Sequence, residues 1–109
     1  MAATWVLHRF RSAFVQGNLA LIVLRLLVDS EMSEWEVMNA LYDRYGSSPT
    51  SKEFRRLVDE LLEGAYATTV EVEETRKLRI SNQGRRLFQR LEDEYRQVVS
   101  SLGEGSVHP

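Results

Sequence analysis

Lys52, Arg55 and Arg56 fall within one five-residue stretch of the chain. Around them Phe54, Leu57, Val58, Leu61 and Leu62 recur at i, i+3, i+4, i+7 and i+8, the spacing of a helix with one apolar face, so the three cations lie on the other face. Thr50 and Glu53 form a capping box that fixes where this helix begins. The cations therefore crowd its N-terminal half, where the helix dipole disfavours positive charge. Phosphate oxygens or guanine edges in a DNA major groove would favour them there, because a guanidinium presents a two-pronged donor set that matches either. Thr50 and Ser51 at the helix start would add contacts. Arg56, opposite the Phe54, Leu57 and Leu61 face, is the first choice for reading a base. The competing reading pairs Arg55 with Asp59 and Arg56 with Glu60 as exposed i, i+4 ion pairs, which contribute only a few tenths of a kcal/mol.

A second basic cluster, Arg76, Lys77 and Arg79, follows Glu71, Glu73 and Glu74. Arg76 and Lys77 are expected as weaker backbone contacts. Other chemistries find little support. There is no cysteine, and the two histidines, His8 and His108, lie far apart, so no disulfide or metal site is expected. No phosphate-binding glycine loop or nucleophile elbow is present, and the carboxylates belong to helix caps and solvated faces. Neither an enzyme nor a cofactor is expected. The formal net charge of −2 gives no global attraction to nucleic acid, so binding would have to come from a local basic surface.

The elements that must position these groups are legible in the periodicity. Thr4 to Phe14 sets Val6, Leu7, Phe10, Ala13 and Phe14 at helical spacing, ending near Gly17, after which Asn18 can cap an apolar helix through Val28. Ser33 and Glu36 form a capping box, with Met32 and Val37 as its hydrophobic staple, for a helix along Val37, Leu41 and Tyr45 that stops at Gly46. A turn through Ser47, Ser48 and Pro49 leads to the cation-bearing helix, which ends at Gly64. The period then changes to two. Tyr66, Thr68, Val70 and Val72 share one strand face, as do Leu78 and Ile80 in the next, and pairing Val72 with Leu78 predicts a hairpin with the loop Glu74-Thr75-Arg76. On the solvent face this register sets Glu73 opposite Lys77 and Glu71 opposite Arg79.

Ser81 caps a last helix in which Gly84, Phe88, Leu91, Tyr95, Val98 and Leu102 alternate spacings of four and three, a heptad seam. From Ser81 to Leu102 such a helix is about 33 Å long, beyond what a domain of 109 residues covers by itself. Phe88, Leu91, Tyr95, Val98 and Leu102, joined by Phe10 and Phe14 of the first helix, are therefore predicted to form a homodimer interface. The longest apolar stretch, Leu19 to Val28, is broken by Arg25 and is about half the length a bilayer crossing needs. No signal peptide is recognisable, and a cytoplasmic protein without membrane contact is expected.

Three stretches resemble the PadR-like family of winged-helix transcriptional regulators, and together they cover most of Gly17 to Tyr95. Gly17-Asn18-Leu19, then Met32, Val37-Met38 and Ala40-Leu41, look like the family's first two helices. Ser48-Pro49-Thr50 before Phe54 and Leu57, with Gly64 beyond, looks like its recognition helix. Leu78 to Arg85 is similar to the end of its wing and the start of its last helix. The resemblance agrees with the order of elements read above, which predicts a mostly α fold with a small β-hairpin: an N-terminal amphipathic helix (1–16), a winged helix-turn-helix DNA-binding domain (17–80), a C-terminal dimerisation helix (81–102) and a flexible tail (103–109). It also implies a dimeric regulator of transcription, often a repressor, that binds double-stranded DNA and is sometimes released by a small aromatic or lipophilic effector. Trp5, Phe10, Phe14, Trp35 and Tyr42 are the aromatic residues that could line such a pocket, although aromatics at this spacing are more often core or interface. The alternative, which the acidic net charge and acidic wing favour, is a winged helix that binds protein without DNA.

Overall fold

The computed structural model describes the backbone of residues 2–107 and the side chains of residues 4–102. The periodicities are realised as α1 (Ala2–Gly17), α2 (Leu19–Asp29), α3 (Glu34–Tyr45), α4 (Ser51–Glu63), β1 (Ala67–Val72), β2 (Thr75–Ile80) and α5 (Asn82–Val107). Helix α5 continues through Val107 into the segment expected to be a flexible tail, whose last two residues, His108 and Pro109, lie outside the described residues.

One core holds these elements. Val23 and Leu24 of α2, Val37 and Leu41 of α3, and Val58 of α4 are fully buried, and Leu78 and Ile80 of β2 close the cluster from the sheet side. These are the positions that the 3.6-residue and two-residue periods assign to one face of each element. Both capping boxes form: Ser33 Oγ accepts from Glu36 N at 3.1 Å, and Thr50 Oγ1 accepts from Glu53 N at 3.1 Å. Gly46, at φ 66°, adopts the left-handed conformation that ends α3 and lets the chain turn toward α4.

Asn18 acts differently from expectation. It makes no side-chain cap to α2; its Nδ2 donates instead to Phe14 O at 2.9 Å, satisfying a carbonyl at the end of α1. The chain turns by 73° between α1 and α2, and the Asn18 backbone amide donates to the same Phe14 carbonyl at 3.0 Å, so Asn18 closes the end of α1 with both its nitrogens.

The hairpin corrects the predicted register. Leu78 lies opposite Thr69 and Ile80 opposite Ala67, so Ala67, not Thr68, points into the core, while Tyr66 packs half-buried against it just before the strand. Val70 and Val72 fall on the other face, opposite Lys77 and Thr75. The loop is only Glu73-Glu74, and both residues are left-handed, at φ 51° and 66°. A two-residue hairpin loop of this kind matches the strand twist but favours glycine or asparagine, and neither stands at positions 73 and 74. Burial of Leu78, Ile80 and Ala67 overrides the local preference, at a cost of about 1–2 kcal/mol for each left-handed glutamate. Met32 adds a bridge to the far edge of β2, with Met32 N donating to Leu78 O at 3.2 Å and Leu78 N to Met32 O at 2.8 Å.

The junction between α4, the hairpin and α5 is latched by hydrogen bonds. Ser81 Oγ caps α5 by accepting from Gly84 N at 3.0 Å and donates to Ala65 O at 2.6 Å, while Gln83 Nε2 donates to Gly64 O at 3.1 Å. The left-handed residue that ends α4 is Ala65, at φ 59°, and not Gly64. Gly84 is required by close approach: a Cβ there would run into the Tyr66 carbonyl oxygen and the Ile80 side chain.

Candidate nucleic-acid interface

Because Phe54, Leu57, Val58 and Leu61 are spent on the core, α4 turns Lys52, Arg55 and Arg56 to solvent, as its periodicity requires. Asp59, Glu60 and Glu63 continue the same outer face. The helix thus presents a cationic N-terminal half and an anionic C-terminal half.

The three cations are not equivalent. Arg56 is 82% exposed, with Nε 3.4 Å from Glu60 Oε1, a pair that water readily replaces. Lys52 is exposed and makes no ion pair among the described residues. Arg55 is held from two sides: Nη2 donates to Glu34 Oε1 at the start of α3, and Nη1 lies 3.7 Å from Asp59 Oδ1. The hydrogen bond to Glu34, reinforced by the charges of Glu34 and Asp59, raises the Arg55 pKa, so the guanidinium stays charged throughout. Both the i, i+4 pairs of the competing sequence reading are therefore present, and the cross-helix partner Glu34 is an addition to them. Thr50 and Ser51 are exposed at the helix start, but the Thr50 hydroxyl is already committed to the cap, donating to Glu53 Oε1 at 2.9 Å. The Thr50 backbone amide, followed by the Thr50 hydroxyl, holds the Glu53 carboxyl below its usual pKa.

The wing cations find partners other than those expected. Lys77 Nζ lies 3.4 Å from Glu36 Oε1, and Arg79 Nη2 lies 2.5 Å from Glu31 Oε2. The predicted pairings with Glu73 and Glu71 required the three-residue loop and disappear with it. Arg76 is exposed near the tip, directly across the ladder from Glu71. Glu73 and Glu74 occupy the turn itself, so the tip is acidic. Glu36 lies below its usual pKa, first through the Ser33 amide, then the Ser33 hydroxyl, then Lys77.

Glu31, Glu34 and Glu36 are thus partners of the candidate cations that the sequence reading missed, having seen Glu36 only as a cap. Their clustering within six residues around the start of α3 was the signal. It is ambiguous without knowing which elements pack beside it.

The predicted dimer residues divide along the chain. Phe14, Phe88 and Leu91 pack against the core, whereas Phe10, Tyr95, Val98 and Leu102 are exposed. Between them runs an apolar groove of about 460 Å³ lined by α1, the start of α2 and α5. Phe14 meets Tyr95 edge-on, with centroids 6.1 Å apart, at the groove's inner wall. Trp5 and Trp35 are both exposed; Trp35 sits on the outer surface of α3 beside Glu34. Among the described residues no cluster of His, Asp and Glu side chains could hold a metal ion, and no single helix is long and apolar enough to cross a membrane.

A helix-turn-helix of α3 and α4, followed by the hairpin and bridged at Met32, defines a winged helix. Solved structures share this fold. A PadR-like transcriptional regulator from Bacillus cereus superposes with a TM-score of 0.76 at 12% identity, over 90% of this chain and 100% of that one. A transcriptional regulator from Clostridium thermocellum gives 0.75 at 15% identity, over 85% and 97% of the two chains. A winged-helix DNA-binding protein from STIV gives 0.65 at 16% identity, over 75% and 90%. No protein-family model matches the sequence. No curated protein matches it either. The likeness is one of fold, carried by packing geometry and not by residue identity.

Proposed function

We propose that this protein is a non-enzymatic regulator of transcription that binds double-stranded DNA as a homodimer, with one copy of α4 in each of two successive major grooves. The observation that carries this reading is the outer face of α4, where Lys52 and Arg56 are open to solvent at the helix start. Recognition helices present this end to base edges and phosphates. The groove between α1 and α5 is assigned to the second copy, since Val98 and Leu102 are left wet in a single chain. A small aromatic or lipophilic effector, as the family resemblance implies, would compete for the same apolar walls. Twofold symmetry sets the recognition helices about 34 Å apart, one turn of B-DNA, so the preferred site is an inverted repeat with half-sites about ten base pairs apart. Repression is the mode that the family resemblance implies, and the cytoplasm is the compartment that a sequence without cysteine fits.

Fluorescence anisotropy against duplex DNA at two salt concentrations tests this. Arg56→Ala is expected to cost about 1–3 kcal/mol on the preferred site and to relax specificity there, while Lys52→Ala weakens all sequences alike. Unchanged affinity in both variants, shown folded and dimeric, overturns the assignment.

A second reading rests on the acidic tip. Glu73 and Glu74 would face phosphates if the wing approached DNA, and the exposed Trp35 on α3 suits a protein surface. In that case the domain docks a protein partner, and the wild type fails to bind any duplex.

A further inference from the structure

On the surface assigned above to DNA, cations outnumber the ones free to act as simple phosphate contacts. Arg55 of α4, and Lys77 and Arg79 of β2, each meet a carboxylate from the single segment that carries Glu31, Glu34 and Glu36. The Arg55 pair is unlike the other pairs on α4. It joins two helices through a hydrogen bond from Nη2, while Asp59, 3.7 Å from Nη1, adds attraction between charges without a second hydrogen bond. Each terminal nitrogen carries two hydrogens, so one on Nη2 and both on Nη1 remain for a further acceptor. An arginine held in this way loses little rotamer freedom on meeting the two acceptors of a guanine edge, whereas a free side chain must be immobilised first.

We propose that Glu34 is a positioning residue that orients Arg55 as a second, fixed base-reading fork beside Arg56, and that its charge at the same time lowers sequence-independent attraction to DNA. The proposal rests on the DNA-binding reading. It follows that the acidic segment serves discrimination: a cation already neutralised by the protein releases few counterions from a random duplex, so affinity for wrong sites falls more than affinity for the right one. Glu31 and Glu36 act on Arg79 and Lys77 in the second sense only.

The test uses the full chain, a site enriched from a randomised duplex pool and a scrambled duplex of equal length, titrated by anisotropy over a range of salt. Glu34→Gln preserves size and removes charge at an exposed position, and its folding is checked by thermal melting. Expected is a tighter grip on the scrambled duplex, a salt dependence steeper by about 0.9 in log–log slope for each phosphate gained per protomer, and a specificity ratio lower by about tenfold, the value of one good bidentate contact. Arg55→Lys, which keeps the charge but loses the fork, should reproduce the lost specificity without steepening the slope. In an Arg55→Ala background Glu34→Gln should leave the ratio unchanged. If the wild type binds no duplex, the DNA-binding reading fails and the proposal falls with it. Binding with no enriched sequence, an unchanged ratio in Glu34→Gln, or an equal loss in the Arg55→Ala background each overturns the role of Glu34 and leaves DNA binding standing.

Discussion

The two halves of α5 carry the same heptad pattern and meet different fates. In the proximal half Phe88 and Leu91 are half-buried against the core, and Gly84 sits so close to the Tyr66 carbonyl that no side chain fits. In the distal half Tyr95, Val98 and Leu102 are exposed, Leu102 by 72%. Nothing in the seam's spacing marks the change. It comes from the size of the domain: α2 and the hairpin are long enough to cover the first turns of α5 and then end, so an identical apolar repeat is intramolecular core at one end and free surface at the other. A uniform pattern can therefore be core at one end and open surface at the other, with the division set by the neighbours and not by the repeat.

That division can be broken at three depths. The largest effect is expected at Gly84→Ala, where the added methyl meets backbone and not a flexible side chain; about 3 kcal/mol of stability should be lost in denaturant titration, even though alanine favours a helix interior. Phe88→Ala should cost about 2 kcal/mol, less than a fully buried phenylalanine, because part of the ring is already in water. The paired substitution Val98→Asp with Leu102→Asp should change the stability of the isolated protomer by no more than about 0.5 kcal/mol, as surface changes do, yet convert a dimer to a monomer in sedimentation at tens of micromolar. A large loss of protomer stability in that last variant would show that the distal half belongs to the fold after all.

What could be read from the sequence follows the same line between local and long-range causes. Ser33 with Glu36, Thr50 with Glu53, Ser81 with Gly84, and Gly46 are all determined within four residues, and each does in the structure what its spacing predicts. The apolar face of α4 was equally legible, because it repeats over two full turns. The hairpin register was not. Its alternation of valines was real but pointed to the wrong face, since the choice is made by Ala67 fitting beneath Ile80, a contact invisible to periodicity. Asn18 was misassigned for a similar reason: it stands between two helices, and only the angle between them decides which end it serves. At the candidate interface the cations themselves could be named in advance, but their partners Glu31 and Glu34 come from a segment distant in sequence and near only once the helix-turn-helix has formed.

The bridge between Met32 and Leu78 turns the α2–α3 connection into a third, one-residue strand on the edge of the hairpin. Two mutual hydrogen bonds of this kind make the connection and the wing one cooperative unit, opening and closing together instead of fraying independently. The amides of Met32 and Leu78 should then exchange with solvent at a common rate, set by the slower-opening core strand and not by the exposed turn. Whatever grips the wing is in this way felt at the start of α3, a few residues along the same stretch of chain.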